Sequence, residues 1–273
     1  MKKILISLLI LFTFINVEAL NIFDVKYDRE VISYSEKDFK KLKEDIKEFN
    51  GNMIAIDQLG NIDDISINFE FNDNVNVIYN LNGFSISYNK DNYFIVLGEN
   101  SSINIKGLKK DEDTSHNFNG YINIEDKKII NTDKAVYSNI KNGSFIKSED
   151  NCNILISNIT LGGNYINDSL INIDSDSSIN FNNVNIINNR VSNYIIDIDG
   201  DNNSINFKES SINNNYGNNG LFKKSCLFNV KGDSNSLSFN YTDFNNNVFN
   251  DRFIYIDGDN NSFYLTNGTI MGN

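Results

Sequence analysis

The sequence predicts an all-β chain wound as a parallel β-helix, and three observations carry that expectation. The first is repetition: LINIDSDSSINF, IIDIDGDNNSINF, LFNVKGDSNSLSF and FIYIDGDNNSFYL succeed one another within Leu170–Asn273. They place Ile179, Ile205, Leu237 and Phe263 in one slot at spacings of 26, 32 and 26 residues. The second is period-two alternation of apolar and polar residues inside each repeat, the pattern of a half-buried strand. The third is an asparagine column: Asn164, Asn189, Asn215, Asn247 and Asn273 each stand ten residues after a strand-opening apolar residue. A period near 25 residues, with short apolar runs between Asn, Gly, Ser and Asp turns, is a solenoid signature. Helical repeats need helix formers that are scarce here, and leucine-rich repeats need leucine at fixed slots. A stack of coils pairing in parallel, with three strands per coil, is what remains.

The chain opens with Met1-Lys2-Lys3, an apolar run from Ile4 to Ile15, and a small residue at Ala19. This reads as a signal peptide over residues 1–19, too short to span a bilayer comfortably. No second hydrophobic run follows, so no integral membrane segment is expected. Residues 20–52 form an N-terminal segment in which Ser35 precedes Glu36-Lys37-Asp38 as a helix cap. Phe39, Leu42, Ile46 and Phe49 recur at helical spacing before Gly51, which predicts one amphipathic capping helix over 36–49. From residue 53 to 273 the chain reads as strands, beginning with Met53–Ile56, Ile65–Phe71, Val75–Tyr79 and Phe84–Tyr88.

Extended backwards, the repeat starts successive units at Phe94, Tyr121, Phe145, Leu170, Ile195, Leu227 and Phe253. These residues are expected to turn inward at a corner and complete the core. The asparagine column predicts an internal ladder, because amides stacked at strand spacing hydrogen-bond along the axis. Asparagine also tolerates the left-handed backbone of a sharp corner. The longest interval is lengthened within Tyr216–Cys226, a loop bulging from one corner. A second irregular stretch, Lys109–Gly120, holds the single histidine, His116, and is expected to bulge from the same part of an earlier coil.

A net charge of −12 argues against a nucleic-acid partner, which demands a basic face. About a fifth of the residues are asparagine, yet apolar residues recur at fixed positions, which excludes low-complexity disorder. Cys152 and Cys226 fall at different points of coils that each rise by about 4.8 Å, too far apart for a bridge. Two free thiols are expected.

With the helix DFKKLKEDIKEF, then GNMIAI, LNGFSI, FIVLGENSSINIKGL and the coils above, the chain resembles the right-handed parallel β-helices of the pectate-lyase-like superfamily. The resemblance covers about Ser35–Asn273. It implies a right-handed coil plugged at its N-terminal end by the helix, and it is shared by exported adhesin-like proteins, polysaccharide lyases and hydrolases. Lyases of the superfamily carry calcium-binding Asp clusters with a basic residue, and hydrolases carry paired aspartates with a Gly-His-Gly element. Asn131-Thr132-Asp133 matches only the first hydrolase motif, and no Gly-His-Gly occurs. Arg29, Arg190 and Arg252 stand beside no acidic cluster on a shared strand.

No catalytic residue and no cofactor motif is therefore read from the sequence. The metal candidates are Asp176, Asp201, Asp233 and Asp259, in the turns SDSS, GDNN, GDSN and GDNN. Oxygen-rich turns suit calcium, while an Asx-turn in which each carboxylate bonds its own backbone is the alternative. A neighbouring column, Asp174, Asp199, Lys231 and Asp257, reads as surface charge balancing. These features together lead to the expectation of a secreted or cell-surface, non-enzymatic β-helix. It would be an adhesin-like binding or scaffold protein whose partner is an extracellular glycan or a host or cell-surface protein. Two alternatives stay open: a carbohydrate-active lyase or hydrolase, and a structural element self-associating through the open coil that ends at Asn273.

Overall fold

The computed structural model of the chain describes residues 36–49, 53–58, 61–90, 92–107, 121–122, 129–130, 135–138, 144–217 and 224–273. Three long parallel sheets dominate it. The first has eight strands, from Met53–Asp57 to Ser262–Thr266. The second has eight, from Ile62–Ile65 to Thr269–Met271, and the third has seven, from Phe69–Phe71 to Arg252–Asp257. Successive strands visit the sheets in turn, as in Ser144–Ser148 (third), Asn153–Ser157 (first) and Ile159–Gly162 (second). Each strand pairs in parallel with its counterpart in the adjoining coil, which makes the fold a parallel β-solenoid. Tyr165–Ile166, Arg190–Val191 and Tyr216–Gly217 add a short fourth sheet between the second and the third. Of the predicted strands, Ile65–Phe71 divides in two: Ile62–Ile65 and Phe69–Phe71 belong to different sheets, separated by a corner.

The repeat slots emerge in the register. Ile179, Ile205, Leu237 and Phe263 lie opposite one another in the first sheet. Ile186, Ile212, Phe244 and Ile270 do so in the second. The strand-starting column turns inward as expected: Phe94, Phe145, Leu170, Ile195 and Leu227 are buried, and Phe253 packs on the core from the last described coil. One member is corrected. Ser144 lies opposite Tyr93 and Ile146 opposite Ile95, so Phe145 follows Phe94 directly in the stack. Tyr121–Ile122 pairs antiparallel with Ile129–Ile130, outside the three sheets. The 51 residues from Phe94 to Phe145 are thus one enlarged coil, with the extra length between Gly107 and Ala135. That insertion joins the first sheet to the second, whereas the one after Tyr216 leads into the third, so the two do not bulge from the same place.

The helix α1, Glu36–Glu48, buries Leu42 and Ile46 against the first coil, and Lys43 Nζ reaches Asn68 Oδ1 at 2.8 Å. The residues proposed to cap it, Ser35 and Gly51, lie outside the described residues. Inside the coils, phenylalanines stack along the axis; the rings of Phe181 and Phe207 are 4.0 Å apart and nearly parallel.

Corners set the register. Of the sixteen non-glycine residues with positive φ among the described residues, twelve are asparagine. One such residue precedes each corner of a coil, for example Asn202, Glu209 and Asn214. The residue after it turns inward; in this coil it is Asn203, Ser210 and Asn215, polar at all three corners. After Gly163, Asn188, Asn214, Asn246 and Gly272 comes the asparagine ladder. Asn164 Nδ2 donates to Asn189 Oδ1 at 2.6 Å, and Asn189, Asn215 and Asn247 each donate onward at 2.9 Å. The same oxygens accept the backbone N–H of the preceding ladder residue at 2.7–3.2 Å. The second amide hydrogens of Asn189, Asn215, Asn247 and Asn273 go to Leu161, Ile186, Ile212 and Phe244 carbonyls. A buried polar row therefore leaves no donor unmet.

A second ladder, which the sequence reading missed, runs through the corner between the third and first sheets: Cys152, Ser177, Asn203, Asn235 and Asn261. Backbone N–H groups of Cys152, Ser177, Asn203 and Asn235 donate to the side-chain oxygen of the next member at 2.8–3.0 Å.

Two substitutions test this reading of the interior. Asn215→Ala strands the Nδ2 and backbone N–H of Asn189, and we expect a loss on the order of 3 kcal/mol or more in denaturant unfolding. Ser148 points inward where neighbouring coils carry Leu97 and Ile173, and its Oγ has no hydrogen-bond partner. Ser148→Val should raise stability by about 1–2 kcal/mol.

Candidate binding surface

Because the ladders hold the coils in register, any residue facing outward becomes one rung of a column. The first sheet presents one such face across eight strands. Ser178, Ser204, Ser236 and Ser262 form one column, and Asn180, Asn206, Ser238 and Tyr264 its neighbour. The rungs tie to each other: Asn206 Nδ2 donates to Asn180 Oδ1 at 3.2 Å and to Ser204 Oγ at 3.1 Å. Alternation along the strands makes this face flat, uncharged at its centre and rich in hydroxyl and amide groups. It can offer hydrogen bonds at strand spacing.

The four metal candidates do not form one column. Ser178 lies opposite Ser204, which sets Ser175, not Asp176, beside Asp201. Asp176 instead has a left-handed backbone, φ 56°, and falls in line with Asn151 and Asn202. The reason is a corner one residue shorter: Ile179 comes six positions after Ile173, whereas Ile205 comes seven after Ile198. Asp201, Asp233 and Asp259 do share a column, with Asp150 below them. Their carboxylates hold backbone amides: Asp201 Oδ1 accepts the Asp233 N–H and Asp233 Oδ1 the Asp259 N–H, both at 2.7 Å. Asp150 Oδ1 likewise accepts the Ser175 N–H at 3.0 Å. The bonds run between coils and not within each turn. Among the described residues, no group of three or more His, Cys, Asp or Glu side chains is placed to hold a metal ion. Gly232 sits in this corner with φ 105°, and a Cβ there would come within 2.5 Å of the Gly200 carbonyl oxygen.

On the third sheet, Asp199, Lys231 and Asp257 align, which is the charge-balanced column read from the sequence. Beside it lies a recess of about 240 Å³ whose lining includes Tyr194, Cys226, Lys231, Arg252 and Tyr255. Asp197 is half-buried next to Asn229, whose Nδ2 donates to it at 2.6 Å. Burial raises the Asp197 pKa and the charges of Asp199 and Asp168 add to the rise, opposed by the Asn229 bond and Lys231. Both cysteines are free and buried. Burial pushes the Cys226 thiol up to about 12, and Cys152 occupies a rung of the second ladder.

The fourth sheet carries a feature that the sequence reading passed over. Immediately after each ladder asparagine stands an outward residue: Tyr165, Arg190, Tyr216 and Val248. Tyr165 is 53 % exposed and Tyr216 41 %. The Arg190 guanidinium stands 6.0 Å from the centre of the Tyr216 ring, within cation–π range. These residues flank a groove of about 310 Å³ floored by Ile166, Val191 and Gly217. Arg252, the other described arginine, lies over Tyr255 at 4.9 Å and pairs with Asp251. His116, Asp133 and Arg29 lie outside the described residues. Among the described residues, no helix is long and apolar enough to cross a membrane. Comparison with protein-family models, with curated proteins and with solved structures returns no match.

Asp197 supplies a pH test. A carboxyl whose pKa is raised on folding favours the folded state when protonated, so its contribution is full below the ordinary value near 3.8 and is lost as pH rises through the folded value. Asp197→Asn should therefore stabilise the protein at pH 7 relative to the parent, with a smaller difference at pH 3.5. Melting curves at the two pH values measure it.

Proposed function

We propose that the chain is an exported, non-enzymatic right-handed β-helix of the pectate-lyase-like type, three main strands to the coil, acting as a binding or scaffold protein at the cell surface or beyond. The reading takes residues 1–19 as a cleaved leader and α1 as a plug at the N-terminal end. Its partner is an extracellular glycan or a surface protein. The observation that carries it is the outer face of the first sheet, where serines and asparagines repeat from coil to coil. Such a face matches a ligand that is itself extended and rich in hydroxyl or amide groups. A second reading, a carbohydrate-active enzyme, is favoured by Asp197, a carboxyl raised in pKa and bonded by Asn229, which lines a recess together with Lys231 and Arg252. Raised carboxyls serve as general acids in glycoside cleavage.

The two readings part in one experiment. The mature protein is screened on a glycan array, and each bound polysaccharide is then assayed for new reducing ends and for unsaturated products. We expect retention without turnover. Turnover that disappears in Asp197→Asn would replace the binding reading with the enzymatic one.

A further inference from the structure

We infer that the column Tyr165–Arg190–Tyr216 is a second ligand site, a platform for one uncharged oligosaccharide chain lying along the solenoid axis. The inference rests on the proposed binding function only in taking the ligand to be a glycan; the site itself is separate from the first-sheet face.

Three features of the column point to a ligand. The two tyrosine rings are two coils apart, about 9.6 Å at a strand spacing of about 4.8 Å, and both are exposed. Pyranose rings present apolar C–H faces to aromatic rings, so tyrosines at this interval can take up rings along one chain while Arg190 lies between them. The guanidinium holds its N–H donors in a fixed plane, a geometry that suits the hydroxyls of the intervening ring. The platform is also held rigidly before any ligand arrives. Arg190 and Tyr216 follow buried ladder residues, and their backbone N–H groups donate to the Asn164 and Asn189 carbonyls at 2.8 Å. Beneath them Gly217 admits no side chain, because a Cβ there would collide with Ser225 and Phe249. The backbone beneath the platform therefore needs no ordering on binding, which favours affinity.

The charge of the ligand follows from the surroundings. Asp168 stands three residues after Tyr165, bonded by the Asn193 amide at 2.6 Å, and the chain carries −12 overall. A polyanion would be repelled on approach, and a single arginine already over a tyrosine does not offset that. An uncharged chain meets no such barrier and its binding should be nearly independent of salt.

The test is calorimetric titration of the full chain with cello-, xylo-, manno- and chito-oligosaccharides, and with oligogalacturonate as the charged comparison, at low and high salt. At least one uncharged series should bind. Tyr165→Ala/Tyr216→Ala should weaken it about tenfold or more, a loss of about 1.4 kcal/mol, with an unchanged melting curve. Tyr241→Ala, which removes an equally exposed tyrosine from a different corner, should leave it intact. Binding that survives the double substitution but falls in Asn180→Ala/Asn206→Ala overturns the platform and leaves the first-sheet reading standing. Salt-sensitive preference for oligogalacturonate overturns the uncharged assignment. Failure of the parent to bind any series overturns the platform and the glycan reading together.

Discussion

The bond from one buried asparagine amide to the next is the interaction on which the rest of this molecule depends. Apolar burial supplies most of the stabilisation, at about 1.5–3 kcal/mol for each large side chain, and dozens of such residues line the interior. Burial is non-directional, however, and would tolerate coils of varied length and offset. A ladder bond contributes only about 1 kcal/mol net, yet leaving its groups unpaired in the interior costs about 1–3 kcal/mol for each. That asymmetry gives the asparagines their weight. A coil that slipped by one residue would strand Nδ2, Oδ1 and a backbone N–H together, and it would also turn its apolar set outward. Isoleucine and phenylalanine hold the coils together; asparagine decides how they line up.

Register inside becomes pattern outside. Each corner that carries a ladder reads as a short sentence: a left-handed residue, an inward ladder residue, then an outward residue at the start of the next strand. At the corner that leads to the fourth sheet the sequence is Asn188, Asn189, Arg190, then Asn214, Asn215, Tyr216. The left-handed asparagine makes the turn without the strain most side chains would incur. The buried asparagine locks it, and the third residue is displayed in a column. The Ser178–Ser262 column and the Tyr165–Tyr216 platform are made this way, while the acidic column through Asp201 and Asp233 stands one residue before the left-handed position. Insertions are tolerated between strands because the ladders on either side re-establish the alignment, as Asn215 and Asn247 do across a 32-residue interval.

Much of this was legible in the residues alone. The slots shared by Ile179, Ile205, Leu237 and Phe263, the ladder from Asn164 to Asn273, and the inward turn of Phe94 and Leu170 all follow from spacing, because side-chain alternation has a strict period. Three things were not legible, each for a physical reason. The stretch around Tyr121 has nearly the length of a coil and an apolar run of its own, so periodicity cannot separate it from a true coil; only strand pairing does. Asp176 was set beside Asp201 because counting forward from the third sheet hides a corner shorter by one residue, the position filled by Gly200. The Tyr165, Arg190 and Tyr216 column was overlooked because its members differ in type. The signal was present in their fixed place one residue after the ladder, and a reading that weighs position above identity would have found it.

The central claim, that the interior ladder sets the register of the coils, is tested most directly by hydrogen exchange of individual backbone amides. The N–H groups of Asn189 and Asn215 are bonded to the side chain of the next ladder residue. They should exchange only through global opening, as slowly as the slowest strand amides of Ile205 and Ile196. Exchange of these two amides on the time scale of the exposed corner amides, with the flanking strands still protected, would contradict the account.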